Sequence, residues 1–409
     1  MVDLATTDPL SGASLYADVL RYESFGSHRL GSQGAERTFA WLAAELSRAG
    51  MAVSAQPFTV ARQYDLQGAS LLVGDQRIEV TPQFWPLPAH ASFRLRSPIV
   101  ATGDARGAFV RLSIPYEQTS YLTDTHHVAL KAAFARHPAA VLLTIEHPSG
   151  ELFVHNVDQD QDAWPVPVLL VASKDRAVLD RAMNAGTLLD LTLDGRYRYD
   201  LPARNVIGRL DRASGLSVVV STPITSWFTS AGERGPGVAA FLALARIAGK
   251  RLDGFDLCIV GTAGHEIGHV GMQHFIAAQA PPINRVVAWL HLGSSLACSA
   301  WRRDAAGVWV TNSRLDTENL QINRSRSLDA PVRKHLSRLG AADRVGESAA
   351  VGELREVFAA GYPNFFGVAG EHAFFHTPID TSSGTAPELL EPVVGAIAAT
   401  LAEIVARAG

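Results

Sequence analysis

The segment Gly264-His265-Glu266-Ile267-Gly268-His269-Val270-Gly271 follows the apolar run Phe255 to Val260 and offers three side chains able to bind a metal or move a proton. His265-Glu266-x-x-His269 has the spacing at which two histidines one helical turn apart hold zinc while the glutamate between them acts as base. That chemistry needs an uninterrupted helix. Glycines stand at 261, 264, 268 and 271, and glycine inside a helix costs about 1 kcal/mol relative to alanine. The segment is therefore expected to be a loop at the C-terminal end of a strand, where open α/β sheets carry their active sites.

Other chemistry-bearing residues follow strands in the same way. Asn205-Val206-Ile207-Gly208 leads to the strand Ser217 to Ser221, then Thr225-Ser226-Trp227, then Ala231-Gly232-Glu233-Arg234-Gly235-Pro236-Gly237-Val238 opening an apolar helix. Val286 to Leu290 runs into His291-Leu292-Gly293, and the chain later reads Phe375-His376-Thr377-Pro378-Ile379-Asp380-Thr381. This order resembles the zinc aminopeptidase family that includes bacterial leucyl aminopeptidases, aminopeptidase Y, glutamate carboxypeptidase and glutaminyl cyclase, over nearly the whole chain.

The resemblance implies a metal site, and the residues depart from the family pattern in a particular way. At the family's His-x-Asp stand Pro223-Ile224-Thr225, which supply neither an imidazole ligand nor its orienting carboxylate. Glu233 takes the place of the bridging Asp, His265-Glu266 that of the Glu-Glu pair, and His291 that of the next Asp; the final His is kept as His376, followed by Asp380. The set serving the family's second zinc is thus Glu233, Glu266 and His376, with His291 either a fourth ligand or a neutral hydrogen-bonding group. One divalent ion is expected, zinc first, with iron or manganese also compatible with such ligands. His265 falls where the family has its general base, and could equally be a ligand or a group supporting one. His269 and Asp380 are further candidates for a ligand or its support. Phe375 stands where relatives often carry a tyrosine, and Glu353, before the Gly361-Tyr362-Pro363 turn, where they carry a polar residue facing the substrate. Trp227 and Phe375 could line an apolar pocket, and Glu353 could meet a substrate amine.

These groups need a scaffold, and the chain has the means to build one. At 409 residues, 47% hydrophobic and 19% charged, it can bury a large core. The formal net charge of -4 and the lack of like-charge blocks speak against a nucleic-acid surface or a polybasic membrane anchor, and no apolar run long enough to span a membrane is expected. The expected partner is a small molecule or short peptide; oligomeric state cannot be read. Met1 to Ser14 lacks the pattern of a secretory signal, so a cytoplasmic location is expected. Cys258 and Cys298 lie in apolar or small-residue surroundings and read as buried thiols.

Periodicity gives the elements. Ser32 to Ala49 places Phe39, Leu42, Ala43 and Leu46 on one helical face and ends at Gly50; His28, just before it, reads as structural. From Leu66 to Asp200 the texture shifts to short β-like runs with one alanine-rich helix, and it resembles a protease-associated domain, implying a lid over the cleft. After it strand and helix alternate, which argues for a mainly parallel mixed sheet sandwiched by helices. Three segments are expected: 1–65 and 201–409 forming the catalytic part, and 66–200 as a β-rich insert. The function expected is a metal-dependent hydrolase of an amide or peptide-like bond. Two alternatives stay open, a catalytically silent binding protein on the same fold and an aminoacyltransferase of the glutaminyl cyclase type.

Overall fold

The computed structural model describes residues 8–84, 92–117, 119–156, 163–251 and 254–408. The N-terminal part supplies helices α1 (Gly12–Glu23) and α2 (Gln33–Arg48), the long strand β1 (Ala52–Val73) and β2 (Gln76–Ile78). Ser32 caps α2 by accepting a hydrogen bond from the Ala35 N–H, which satisfies a backbone donor that the first helical turn leaves free.

The middle segment has β3 (Val80–Pro82), β4 (Phe93–Ser97), β5 (Ile99–Val100), β6 (Phe109–Pro115), α3 (Asp124–Phe134), β7 (Ala140–Glu146), β8 (Val168–Val171), α4 (Arg176–Ala185) and the long β9 (Leu189–Leu210). Strands β3, β8, β7, β6 and β5 form a separate five-stranded sheet. It is tied to the rest through β1 and β9, which pair antiparallel from Ala52↔Arg209 to Val73↔Leu189 with one irregularity between Leu66 and Gly68. The chain enters and leaves the middle segment on these two neighbouring strands, so positions 66 and 200 both fall inside the ribbon and not at its end.

The C-terminal part follows as β10 (Ser217–Pro223), α5 (Gly235–Arg251), β11 (Asp256–Thr262), α6 (Val270–Ala278), β12 (Val286–Leu292), the hairpin β13 (Ser299–Arg303) and β14 (Trp309–Leu315), β15 (Leu320–Arg324), α7 (Asp329–Leu336), β16 (Ala342–Val345), α8 (Leu354–Ala359), β17 (Phe365–Gly370) and α9 (Pro387–Ala408). The main sheet has ten strands in the order β16-β15-β17-β12-β10-β11-β9-β1-β2, with β4 added on β9. Its centre, β17-β12-β10-β11, is parallel, while β15 joins β17, and β9 joins β11, antiparallel.

Alternate residues of each strand face opposite sides, and both sides are apolar. Val218, Val220, Ile259, Leu290 and Phe366 pack under α1, α2, α5, α7 and α9, whereas Val219, Cys258, Val260, Trp289 and Phe365 pack under α6 and α8. That two-sided burial accounts for the near-continuous apolar runs of the central strands. The expectation that no apolar run could span a membrane needs correction for α9, which is long and apolar enough by length and composition; Leu390, Val393, Ile397 and Leu401 pack into the core. Both cysteines are free and buried.

One packing constraint sets the opening motif in place. Asn205 on β9 accepts the Ala263 N–H and donates to Gln56 Oε1 and the Gly271 carbonyl, which clamps the loop after β11 against the start of α6. A Cβ on Gly271 would sit 2.3 Å from the Ala263 carbonyl oxygen and 2.5 Å from Asn205 Oδ1, and neither atom has room to retreat. Gly271→Ala is expected to destabilise the protein by about 1–3 kcal/mol, the usual cost of overpacking. Denaturant unfolding of the two proteins checks this, and Gly395→Ala inside α9, whose added Cβ meets nothing within 4 Å, is the contrast, expected to raise the midpoint because alanine favours a helix over glycine by about 1 kcal/mol.

Candidate functional site

The motif after β11 is a loop, as its glycines imply. Residues His265–Ile267 form one 3-10 turn, and Gly264, Gly268 and His269 all have left-handed backbone. His265 and His269 are therefore not successive turns of one helix, and the zincin geometry is not formed. His269 has φ 58° and His376 φ 56°, a conformation that a side chain adopts at a cost and that clusters at functional sites.

At the centre of the site lies a residue the motif comparison passed over. Arg234 follows Glu233 where the chain turns from β10 into α5, and its guanidinium is buried, with side-chain exposure of 1%. Nη2 lies 2.8 Å from Glu233 Oε1 and 3.5 Å from Glu266 Oε1, and Nε donates to the Thr225 carbonyl. One cation thus stands between the two carboxylates expected to share a metal. Burial opposes the charge on Glu233, yet Arg234 and His376 beside it hold its carboxyl well below the usual carboxylate range. Burial raises Glu266, and Arg234 offsets only part of that.

Thr225, at the position of the lost carboxylate, accepts the Gly264 N–H and donates to Glu266 Oε2 at 2.8 Å. A hydroxyl here anchors the loop and the glutamate together. Glu233 Oε2 accepts from Ser226, and its backbone N–H donates to Asp380, which also accepts from Gly232 N–H and from His372 Nε2. Asp380 is accordingly the support of the Glu233 loop. Asp380 also raises His372 against the lowering effect of burial. His372 was not singled out in the sequence; its only signal there was nearness to the Phe375-His376 segment.

His376 Nε2 lies 3.4 Å from Glu233 Oε1, the oxygen that Arg234 also approaches, and Nε2 itself makes no hydrogen bond. His376 Nδ1 is held by the Val154 carbonyl of the middle segment at 2.7 Å. An imidazole nitrogen and a carboxylate oxygen at this separation suit two ligands of one ion, although Arg234 already pairs with the oxygen. The remaining expected ligands do not join them. Glu266 faces Thr225 and Arg234, and His291 Nδ1 is bonded to Ser221 Oγ at 3.0 Å. Among the described residues no group of three or more His, Cys, Asp or Glu side chains is disposed to hold a metal ion. The four-residue set Glu233, Glu266, His291 and His376 is thus not assembled around one point, and Arg234 already supplies the positive charge there.

The imidazoles of His265, His269 and His291 line a cavity of about 350 Å³, which Phe375 also lines. His265 Nδ1 is 3.3 Å from Glu353 Oε1, and His291 Nδ1 is 3.9 Å from Glu353 Oε2. Burial holds His265 well below the ordinary histidine range and His291 at about 4, so both are neutral at pH 7. His269 has both ring nitrogens engaged, Nε2 with Tyr121 OH and Nδ1 with Glu356 Oε1, each at 3.1 Å, so it has no lone pair to offer a metal.

Two expected substrate contacts need correction. Glu353 is fully buried, with Thr262 Oγ1 2.9 Å from both carboxylate oxygens; it stands behind the histidines and does not line the cavity. Trp227 is 2% exposed, stacks on Phe84 and donates to Asn156 Oδ1. It joins the middle segment to the main sheet. His28, stacked on Tyr22 with its Nδ1 on the Thr229 carbonyl, is structural.

Because Asp380 binds two consecutive backbone N–H groups and an imidazole, Asp380→Asn must turn an amide N–H toward a donor. We expect it to cost about 3–5 kcal/mol, as when one partner of a buried charged network is removed. Ser295→Ala, which removes the hydroxyl bonded to His372 Nδ1, should cost about 1 kcal/mol. Unfolding midpoints of the two variants check the order.

No family model and no curated protein matches the sequence. Solved structures do. A zinc aminopeptidase from Bacillus subtilis is 16% identical with a TM-score of 0.71, covering 97% of this chain and 96% of its own. A peptidase M28 precursor from Shewanella amazonensis is 16% identical with a TM-score of 0.70, covering 96% and 92%. Porphyromonas gingivalis glutaminyl cyclase is 13% identical with a TM-score of 0.50, covering 98% and 100%. With an α/β sheet flanked by helices on both faces and a site at the ends of its parallel strands, the chain has the zinc aminopeptidase fold.

Proposed function

We propose that this chain is a small-ligand-binding protein built on a peptidase fold, in which Arg234 balances the charge of the carboxylates at the site's centre. The observation that carries this is the guanidinium between Glu233 and Glu266, buried with both of them. A buried carboxylate needs a compensating cation. Here the chain provides its own, and the ligand space lies beside it, in the cavity lined by His265, His269 and His291. The cavity volume falls within the range of small-molecule sites. Residues 66–200 act as the lid: Thr119, Ser120 and Tyr121 line the cavity from that side.

A second reading, metal-dependent hydrolysis of an amide bond, has its own support in the unbonded His376 Nε2 lying 3.4 Å from Glu233 Oε1. It requires Arg234 to leave the position that the structure gives it.

Metal content separates the two. Protein purified without chelator is expected to hold far less than one equivalent of zinc, manganese or iron by elemental analysis. Arg234→Met should lose about 3–5 kcal/mol of stability, since it strips the counter-charge from buried carboxylates. Added zinc should restore part of that loss through Glu233 and His376. One tightly held equivalent in the unaltered protein would overturn the proposal and establish the second reading.

A further inference from the structure

The cavity has a floor apart from the Arg234 charge cluster. Four strands meet there in register: His291 on β12 is opposite Gly367 on β17, Gly367 is opposite Asn323 on β15, and Asn323 is opposite Arg344 on β16. All four residues line the cavity. Leu320 and Ile322 of β15 pack into the core beneath the sheet's other face, so the two-residue period of the strand puts Asn323 on the cavity side.

Asn323 is the unusual member of this row. It is fully buried, and neither its Oδ1 nor its Nδ2 has a hydrogen-bond partner. An unpaired buried amide group costs about 1–3 kcal/mol, and this one has both a donor and an acceptor to satisfy. Arg344, its cross-strand neighbour, is exposed and makes no hydrogen bond or ion pair among the described residues. Side by side they present an amide's donor and acceptor, then a cation. A trans peptide amide points its N–H and C=O to opposite edges, but an extended C-terminal residue in the ligand would satisfy Asn323 with its amide N–H on Oδ1 and one carboxylate oxygen on Nδ2, and the other carboxylate oxygen would meet the guanidinium.

We propose that this row is a binding subsite for an acylated amino acid or the C-terminal end of a peptide, its last amide on Asn323 and its carboxylate on Arg344. The proposal rests on the reading of the cavity as a ligand site. It does not depend on whether a metal is present.

The test uses N-acetylglycine, which has both groups, and N-acetylglycinamide, which lacks the carboxylate, titrated by calorimetry into the full chain with chelator and again with zinc. The unaltered protein should bind N-acetylglycine at least about tenfold more tightly than N-acetylglycinamide, the scale of one charge-assisted hydrogen bond. Arg344→Gln should erase that preference, and Asn323→Leu should weaken both probes about tenfold or more. Asn323→Asp, of equal size, keeps an acceptor and loses the donor; it serves if the leucine variant unfolds, and it too should weaken both probes. Equal binding of the two probes by the unaltered protein, undetectable binding of N-acetylglycine, or unchanged binding in the Asn323 variants would each overturn the subsite. Zinc content measured on the same samples reports on the charge-balance reading separately, so failure of one is not mistaken for failure of the other.

Discussion

The site is organised by one electrostatic requirement. Glu233 and Glu266 are brought out of water at the strand ends, and an unpaired carboxylate in that environment would be far too costly to keep. Arg234 meets the requirement from the next position in the chain. Its guanidinium is planar and carries five donors, so it reaches both carboxylates and the Thr225 carbonyl at once. A point ion could balance the same charge but would impose its own ligand geometry on His376 and Glu266. With a guanidinium instead, Glu266 stays bound to Thr225 and His376 to the middle segment.

The surrounding structure follows from holding this cluster still. Asp380 fixes the backbone that carries Glu233, and Thr225 ties the loop of Glu266 to the end of β10. Asn205 clamps the same loop against α6. Each tie uses a backbone N–H that the end of a strand or the start of a helix leaves free, so the polar network costs no regular secondary structure. Burial lowers His265 and His291, whereas Asp380 raises His372, and His376 Nδ1 faces the Val154 carbonyl.

Much of this was legible in residue types. Glycines 264 and 268 have left-handed backbone, and that is why they argued for a loop where the His-Glu-x-x-His spacing alone argued for a helix. The alternation after residue 217 foretold the parallel centre of the sheet, and the neutral, buried character of His291 follows from its place at the end of an apolar strand. What could not be read was partnership. Arg234 sits in a glycine-rich stretch with an ordinary neighbour pattern, and nothing in the chain says that its side chain folds back between two glutamates. Glu353 reads as a group facing the substrate because the threonine that engages it is 91 positions away. Asn323 and Arg344 lie on β15 and β16, strands of five and four residues, and only their register brings them together.

The long ribbon of β1 and β9 gives the middle segment a particular mechanical relation to the site. Two paired strands resist shear along their length and bend most readily across their plane. The middle segment is also stapled to the site by reciprocal bonds, from Val154 N–H to the His376 carbonyl and between His376 Nδ1 and the Val154 carbonyl. Any outward swing of that segment must therefore break the staple and free His376 from its left-handed pose. Access to the cavity and the orientation of the histidine nearest Glu233 are one degree of freedom, and a molecule that holds the segment closed also sets that imidazole.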